Sequence, residues 1–322
     1  MYEPPVIYDR QPEITTADPI YPHRRPRLRT FLIPALFLVI HLVIINIVAT
    51  VVLLFVMFSQ MAGGNPLEIL TDPARLAELL NQLLSDHYPL ITVISSVFLI
   101  PAYLIFLRLQ RKKDACYFLT EKPLMREILP AMAVTIGLLG VINLWFSLLT
   151  HLQESNAWID RLMTEYAQTA AAFTPANGYL WLILGIGIMT PVAEELLFRG
   201  IVQGELRKVM PEWGAILIQG FVFALFHMQP IQISYVILPG IVLGLLYAWT
   251  RSIWIPIVIH VTFNLSGSVL PALIESDTVL QQIVSISQLA FIAIGILCLI
   301  FLYRKRKTQP ADEWVVLKGR ML

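Results

Sequence analysis

Charge is what this sequence has least of. Only 14% of its 322 residues are Asp, Glu, Lys or Arg, against about a quarter in soluble globular domains. Hydrophobic residues make up 57%, and the mean hydropathy is +0.70. A soluble domain is thereby excluded, and lipid is the solvent to reason about. Cysteine is nearly absent: Cys116 falls in a basic loop and Cys298 in an apolar run, so neither a disulfide framework nor thiol chemistry is expected. There is no CxxC, no Gly-rich phosphate loop and no HExxH zinc-protease motif. Ser95, Ser96 and Ser266 lack a Gly-rich nucleophile setting, so no Ser-His-Asp set stands at sensible depths. The first apolar run starts at Phe31 and is too long for the core of a cleaved signal peptide. It reads as a first membrane helix. No internal repeat is evident. The net charge of +1 points to no partner, and no nucleic acid is expected.

Long apolar runs are what the sequence does have. A spanning helix needs about 20 mostly apolar residues. The candidates are 31–58, 88–108, 127–150, 178–199, 213–228, 231–250, 253–271 and 283–303. The fourth is expected to continue as helix to about 208, and the fifth and sixth are short and joined through Gln229-Pro230. The expected fold is all-α, a polytopic membrane helix bundle with about eight transmembrane helices. Of the 23 Lys and Arg residues, 20 fall on one side of these spans, only Arg75 and Arg161 on the other, and Arg199 within a span. Positive residues mark the cytoplasmic side, so both termini are expected there. The organisation reads as a disordered Pro- and Arg-rich cytoplasmic tail (1–30), N-terminal transmembrane helices with amphipathic external loops (31–177), a core that holds the functional residues (178–271), and a last helix with a basic cytoplasmic tail (272–322). In 71–86, leucines recur at helical spacing, with Thr71 or Asp72 as cap and Pro73 in the first turn. A helix lying on the outer interface or covering the bundle is expected there, and again over 152–172.

Away from the span ends only two acids lie inside a span, and they are adjacent: Glu194 and Glu195. A charge at a helix centre costs about 2.5–3.5 kcal/mol on insertion scales. Glu195 and Arg199 stand at i, i+4, so an intrahelical ion pair explains that acid. Glu194 lies about 100° round the helix and has no local partner. Intramembrane ionisable groups are functional by default. Of six histidines, His23, His41, His87 and His151 sit in the tail, near membrane ends or alone. His227 and His260 are deep in apolar segments of the same half as the glutamates, and Asn264 shares a helix face with His260.

Glu194 and His227 each lie about 21 Å along their helices from the cytoplasmic end, and His260 and Asn264 about 14 and 20 Å. Similar depths on three helices make a shared site, expected to be reached most easily from the cytoplasm. Two chemistries suit the set. Two imidazoles and a carboxylate from separate helices can ligate a divalent metal such as zinc, through His227, His260 and Glu194. Alternatively, Glu194 acts as general base on a water held by the histidines. Asn264 can donate to a developing oxyanion in either case. Both amount to hydrolysis of a peptide bond by activated water. A proton-coupled transporter also places acids and histidines mid-membrane, but calls for inverted repeats, and here the polar groups all lie in one half.

At these residues the sequence resembles a known family. EELLFR (194–199) is similar to the EExxxR motif of the CAAX-protease and bacteriocin-processing (CPBP) intramembrane proteases, FALFH (223–227) to its FxxxH motif, and HVTFN (260–264) to its HxxxN motif. The resemblance covers about 178–271. It implies an intramembrane endopeptidase in which Glu194 is the catalytic carboxylate, His227, His260 and Asn264 complete the site, and Glu195 and Arg199 support it. It leaves open whether a metal is used. The implied partners are a membrane-associated protein or peptide substrate and the lipid bilayer. With no eukaryotic retention signal, a multi-pass protein of a bacterial plasma membrane is expected. A non-catalytic immunity or scaffold protein of the same fold is the alternative.

Overall fold

The computed structural model describes residues 25–61, 73–171 and 179–306. The helices are α1 Leu28–Met61, α2 Pro73–Lys113, α3 Met125–Gln153, α4 Ala157–Ala171, α5 Tyr179–Leu206, α6 Glu212–Leu225, α7 Pro230–Thr250, α8 Trp254–Leu273 and α9 Thr278–Arg304. No strand occurs among the described residues, apart from an isolated bridge between Thr120 and Ser252. Seven of these helices, all but α4 and α6, are long and apolar enough to cross a membrane. The protein is a multi-pass helical bundle. Residues 1–24, most of the tail expected to be disordered, and 307–322 lie outside the described residues.

Two segments differ from the sequence expectation. The amphipathic helix of 71–86 is not separate: from Pro73 it runs unbroken into the second span as one 41-residue helix, and residues 71–72 lie outside the described residues. Pro89 lies inside this helix. Proline inside a helix leaves the preceding turn short of a donor, and Thr92 hydroxyl and His87 Nδ1 bond carbonyls of the surrounding turns, Pro89 O and Leu83 O. At about 1.5 Å per residue α2 is roughly 60 Å long, twice the hydrocarbon thickness. The second difference is α6. It has 14 residues, about 21 Å of helix, short of the roughly 30 Å hydrocarbon layer. Just beyond its end Met228 turns the chain with a left-handed φ of 54°. Gln229 then caps α7 by accepting from Gln232 N–H at 2.8 Å, with Pro230 in the first turn.

Helix ends sort into two faces. On one, Arg251 Nε donates to Glu121 at 2.7 Å, Lys208 pairs with Glu205 at 2.8 Å, Arg207 with Glu212 at 2.9 Å, and Leu119 N–H donates to the Tyr247 hydroxyl at 2.9 Å. Burial lowers the Lys208 pKa from the usual lysine value, and Glu205 opposes that shift. This face gathers the basic loops. On the opposite face α4 packs on α7, where Tyr166 and Tyr235 share a hydrogen bond at 3.2 Å, and Tyr179 hydroxyl donates to Ala272 O at 3.4 Å.

Between the faces, Tyr103, Leu107, Leu197, Phe198, Ile201 and Tyr247 form a fully buried centre around α5. In lipid, helices associate by close packing rather than by escape from water. Gly220 of α6 and Gly240 of α7 supply it. A Cβ on Gly240 would stand 3.2 Å from Gly220 O and 2.9 Å from the Phe223 ring. That close crossing sets the position of Phe223, and one turn on, of His227.

Candidate active site

Helix α5 is not a plain α-helix. Two stretches, Ile183–Met189 and Leu196–Val202, are π-helical, and the six residues between them carry the glutamate pair. Pro191 contributes no N–H, and Thr190 N–H reaches back five residues to Gly185 O. Such wide turns are concentrated at functional sites because they re-aim side chains. The first also exposes a carbonyl: Asn264 Nδ2 donates to Ile186 O at 2.8 Å. A third wide turn, Leu265–Val269, follows Asn264 directly.

The two glutamates have different surroundings. Glu195 is fully buried. Its Oε1 accepts from Arg199 Nη1 at 2.8 Å and from His260 Nδ1 at 2.7 Å. Arg199, also fully buried, spends Nη2 on Gly240 O at 2.9 Å, which Gln219 Nε2 shares. Glu194 keeps 12% of its side chain exposed, and its Oε2 stands 3.6 Å from His260 Nε2. So one acid is committed to an internal ion pair and the other faces a cavity.

Tautomers follow from the partners. His227 Nδ1 lies 2.9 Å from Phe223 O, and a carbonyl only accepts, so Nδ1 carries the proton. His260 Nδ1 likewise donates to the Glu195 carboxylate. In the neutral form of either ring, Nε2 then presents a lone pair. The Phe223 ring lies between them, edge-on to His227 at 5.1 Å and to His260 at 5.8 Å, with the Arg199 guanidinium 4.7 Å over its face. The sequence signal for Phe223 is its place four residues before His227, on the same helix face.

Glu194, His227, His260 and Asn264 all line one cavity of about 450 Å³, with Tyr88, Thr190 and Tyr235. Glu194 and His227 also line a second, of about 850 Å³, between α1, α2 and α4. The outer parts of both walls come from the face opposite the basic loops: Asn81 and Ser85 of α2, Thr169 of α4, and Glu275 after α8. Towards the basic face the site is closed by Phe198, Arg199, Gln203 and Gln219, all buried. Access from the basic face, which depth along the helices suggested, is therefore corrected. Depth says how far a residue lies from each end, not which end is packed shut.

A metal was the other expectation. Each histidine anchors Nδ1 on an acceptor and offers Nε2, as metal-ligating histidines do. Yet among the described residues no three of the His, Cys, Asp and Glu side chains come together closely enough to hold an ion. Glu194, His227 and His260 share a wall without converging on one point, so the donor set does not fit a bound metal in this arrangement.

The fold and site thus define a polytopic membrane protein with a carboxylate–histidine cluster buried between its helices. Residues 176–266 match the family model described as Type II CAAX prenyl endopeptidase Rce1-like. The resemblance to the CPBP family accordingly holds over the segment that carries the cluster. The chain is also similar to the "Putative membrane peptidase YdiL" of Bacillus subtilis (strain 168), 31% identical over 83 residues, or 26% of this chain. That stretch spans 34% of the relative's length. No solved structure matches.

Proposed function

We propose that the protein is an intramembrane endopeptidase that hydrolyses a peptide bond of a membrane-associated protein or peptide. The observation that carries this reading is the pairing of Glu194 Oε2 with His260 Nε2 at 3.6 Å, while Glu195 holds the other side of the same ring at 2.7 Å. A water seated on the cavity side of these two atoms and bridging them has two protons to place. One goes to the Glu194 carboxylate and the other to the Nε2 lone pair of a histidine. Its own lone pair is then directed at a substrate carbonyl in the cavity. Glu194 removes the first proton as the oxygen attacks, and returns it to the leaving amine as the C–N bond breaks. Asn264 has a second amide proton beyond the one held by Ile186 O, and this serves the developing oxyanion. Tight fixing of Glu195, Arg199 and Phe223 keeps the imidazoles aligned without reorganisation.

The similarity to a family named for endopeptidases supports the same reading. Plasma-membrane residence in a bacterium is part of the proposal. The decisive experiment compares the N-terminal peptides of membranes that hold wild-type protein with those that hold Glu194→Gln. New termini present only with wild type are expected. Identical termini in both would remove Glu194 from catalysis. A scaffold or immunity protein of the same fold has no need of an oriented His260 beside an open carboxylate, and a transporter predicts substrate uptake that Glu194→Gln stops without any new peptide.

A further inference from the structure

We infer that the site takes its substrate from the face opposite the basic loops, and that the preferred substrate is a peptide segment of net positive charge exposed on that face. This rests on the endopeptidase reading but is argued from separate observations.

The first is the shape of the approach. Both cavities that Glu194 lines are walled towards that face by α2, α4 and the segment after α8, and neither includes a residue of the loops 114–124, 207–211 or 251–253. The second is charge. Among the described residues, the segments on that face, 73–88, 151–171 and 272–278, carry seven Asp and Glu residues against Arg75 and Arg161. The third is the lining itself. The two cavities hold Glu165, Glu194 and Glu275, and no Lys or Arg. Arg161 stands 3.5 Å from Glu165 and offsets it in part; Glu275 is exposed at the rim. With no Lys or Arg among the described lining residues to neutralise a substrate carboxyl terminus, an internal scissile bond suits the cleft better than one next to a free C-terminus. A field of one sign over a low-dielectric cleft concentrates the opposite charge and raises association by about 10- to 1000-fold. A cationic segment gains from that field and an acidic one is turned away. By the positive-residue asymmetry this face is the extracytoplasmic one, which makes the substrate class an exported or outward-facing chain.

Two measurements test this. In full-length protein with Cys116 and Cys298 replaced by serine, single cysteines are placed at Ser268 on the cavity wall, at Ser155 and at Lys113, and a membrane-impermeant maleimide is added from either side. Ser268→Cys is expected to react from the side that labels Ser155→Cys. Reaction only from the side that labels Lys113→Cys overturns the inference. The second uses peptides with one apolar centre flanked by three lysines, three serines or three glutamates. Binding is read by anisotropy on Glu194→Gln protein in detergent, and cleavage on wild type. Lysine flanks are expected to favour binding and cleavage over glutamate flanks by about 10- to 100-fold in ~20 mM salt, shrinking to within about 3-fold in ~0.5 M, where exposed charges are screened. Equal binding of the three peptides overturns the inference. Selective binding without cleavage of any peptide keeps it and defeats the endopeptidase reading instead.

Discussion

Glu195 grips His260 through its Nδ1 nitrogen at 2.7 Å and turns the opposite nitrogen, Nε2, towards Glu194. The two glutamates are neighbours in sequence, but the second orients the histidine that the first faces. The contact of Glu195 with Arg199 at 2.8 Å, both side chains fully buried, holds that carboxylate in place.

Glu194 and Glu195 should therefore fail differently. Glu194→Gln is expected to leave the amount and thermal stability of folded protein near wild type while cleavage falls by about a thousandfold or more, the scale of losing a general base together with nucleophile positioning. Glu195→Gln should lower both kcat and folded yield. Arg199→Ala should be the most damaging to folding, because breaking a buried pair leaves an uncompensated charge at a cost of about 3–5 kcal/mol. Thermal unfolding in detergent beside peptide cleavage separates the cases. Equal stability of Arg199→Ala and wild type would contradict the ion-pair argument.

Gly240→Ala probes the crossing of α6 and α7. The added Cβ meets the Phe223 ring at 2.9 Å and Gly220 O at 3.2 Å. Overpacking of this kind costs about 1–3 kcal/mol. Because Phe223 touches both histidines, cleavage is expected to fall further than stability alone explains. A variant with wild-type melting and activity would show that the crossing has slack.

Asn264→Ala removes the donor to Ile186 O and the proton proposed for the oxyanion. A fall in kcat of about 100- to 1000-fold with little change in KM is expected, as for loss of an oxyanion donor. A rise in KM alone would make Asn264 a substrate-binding residue instead.

Exhaustive chelation should leave activity intact, with no stoichiometric zinc by elemental analysis, since no three donors converge among the described residues. Loss of activity that zinc restores would mean that the histidines and Glu194 close around an ion when one is supplied.

Both termini are expected on the cytoplasmic side. Cysteines placed near Glu78 and Ser155 should be labelled from outside whole cells, and those near Lys113 and Lys305 should not. The reverse pattern would invert the bundle and make the open face cytoplasmic.

Much of this protein is legible in its sequence, for local reasons. Lipid admits helices by length and hydropathy, so the spans stand out as apolar runs, and seven helices of that kind are present among the described residues. The i, i+4 spacing of Glu195 and Arg199 is enough to anticipate their ion pair. His227, His260 and the glutamates are conspicuous because polar groups are rare and expensive in a membrane.

What the tertiary structure alone decided depends on packing between helices. Sequence spacing along α5 says nothing of its two wide turns, nor that Asn264 of α8 takes up the Ile186 carbonyl that the first one exposes. Nor does it say that His260 rests on Glu195 rather than Glu194, since that choice is made by the angle at which α8 meets α5. Which end of the site is open was misread from depth, because depth is a property of one helix and closure a property of several: Phe198, Arg199, Gln203 and Gln219 seal one end only once α5, α6 and α7 are packed together.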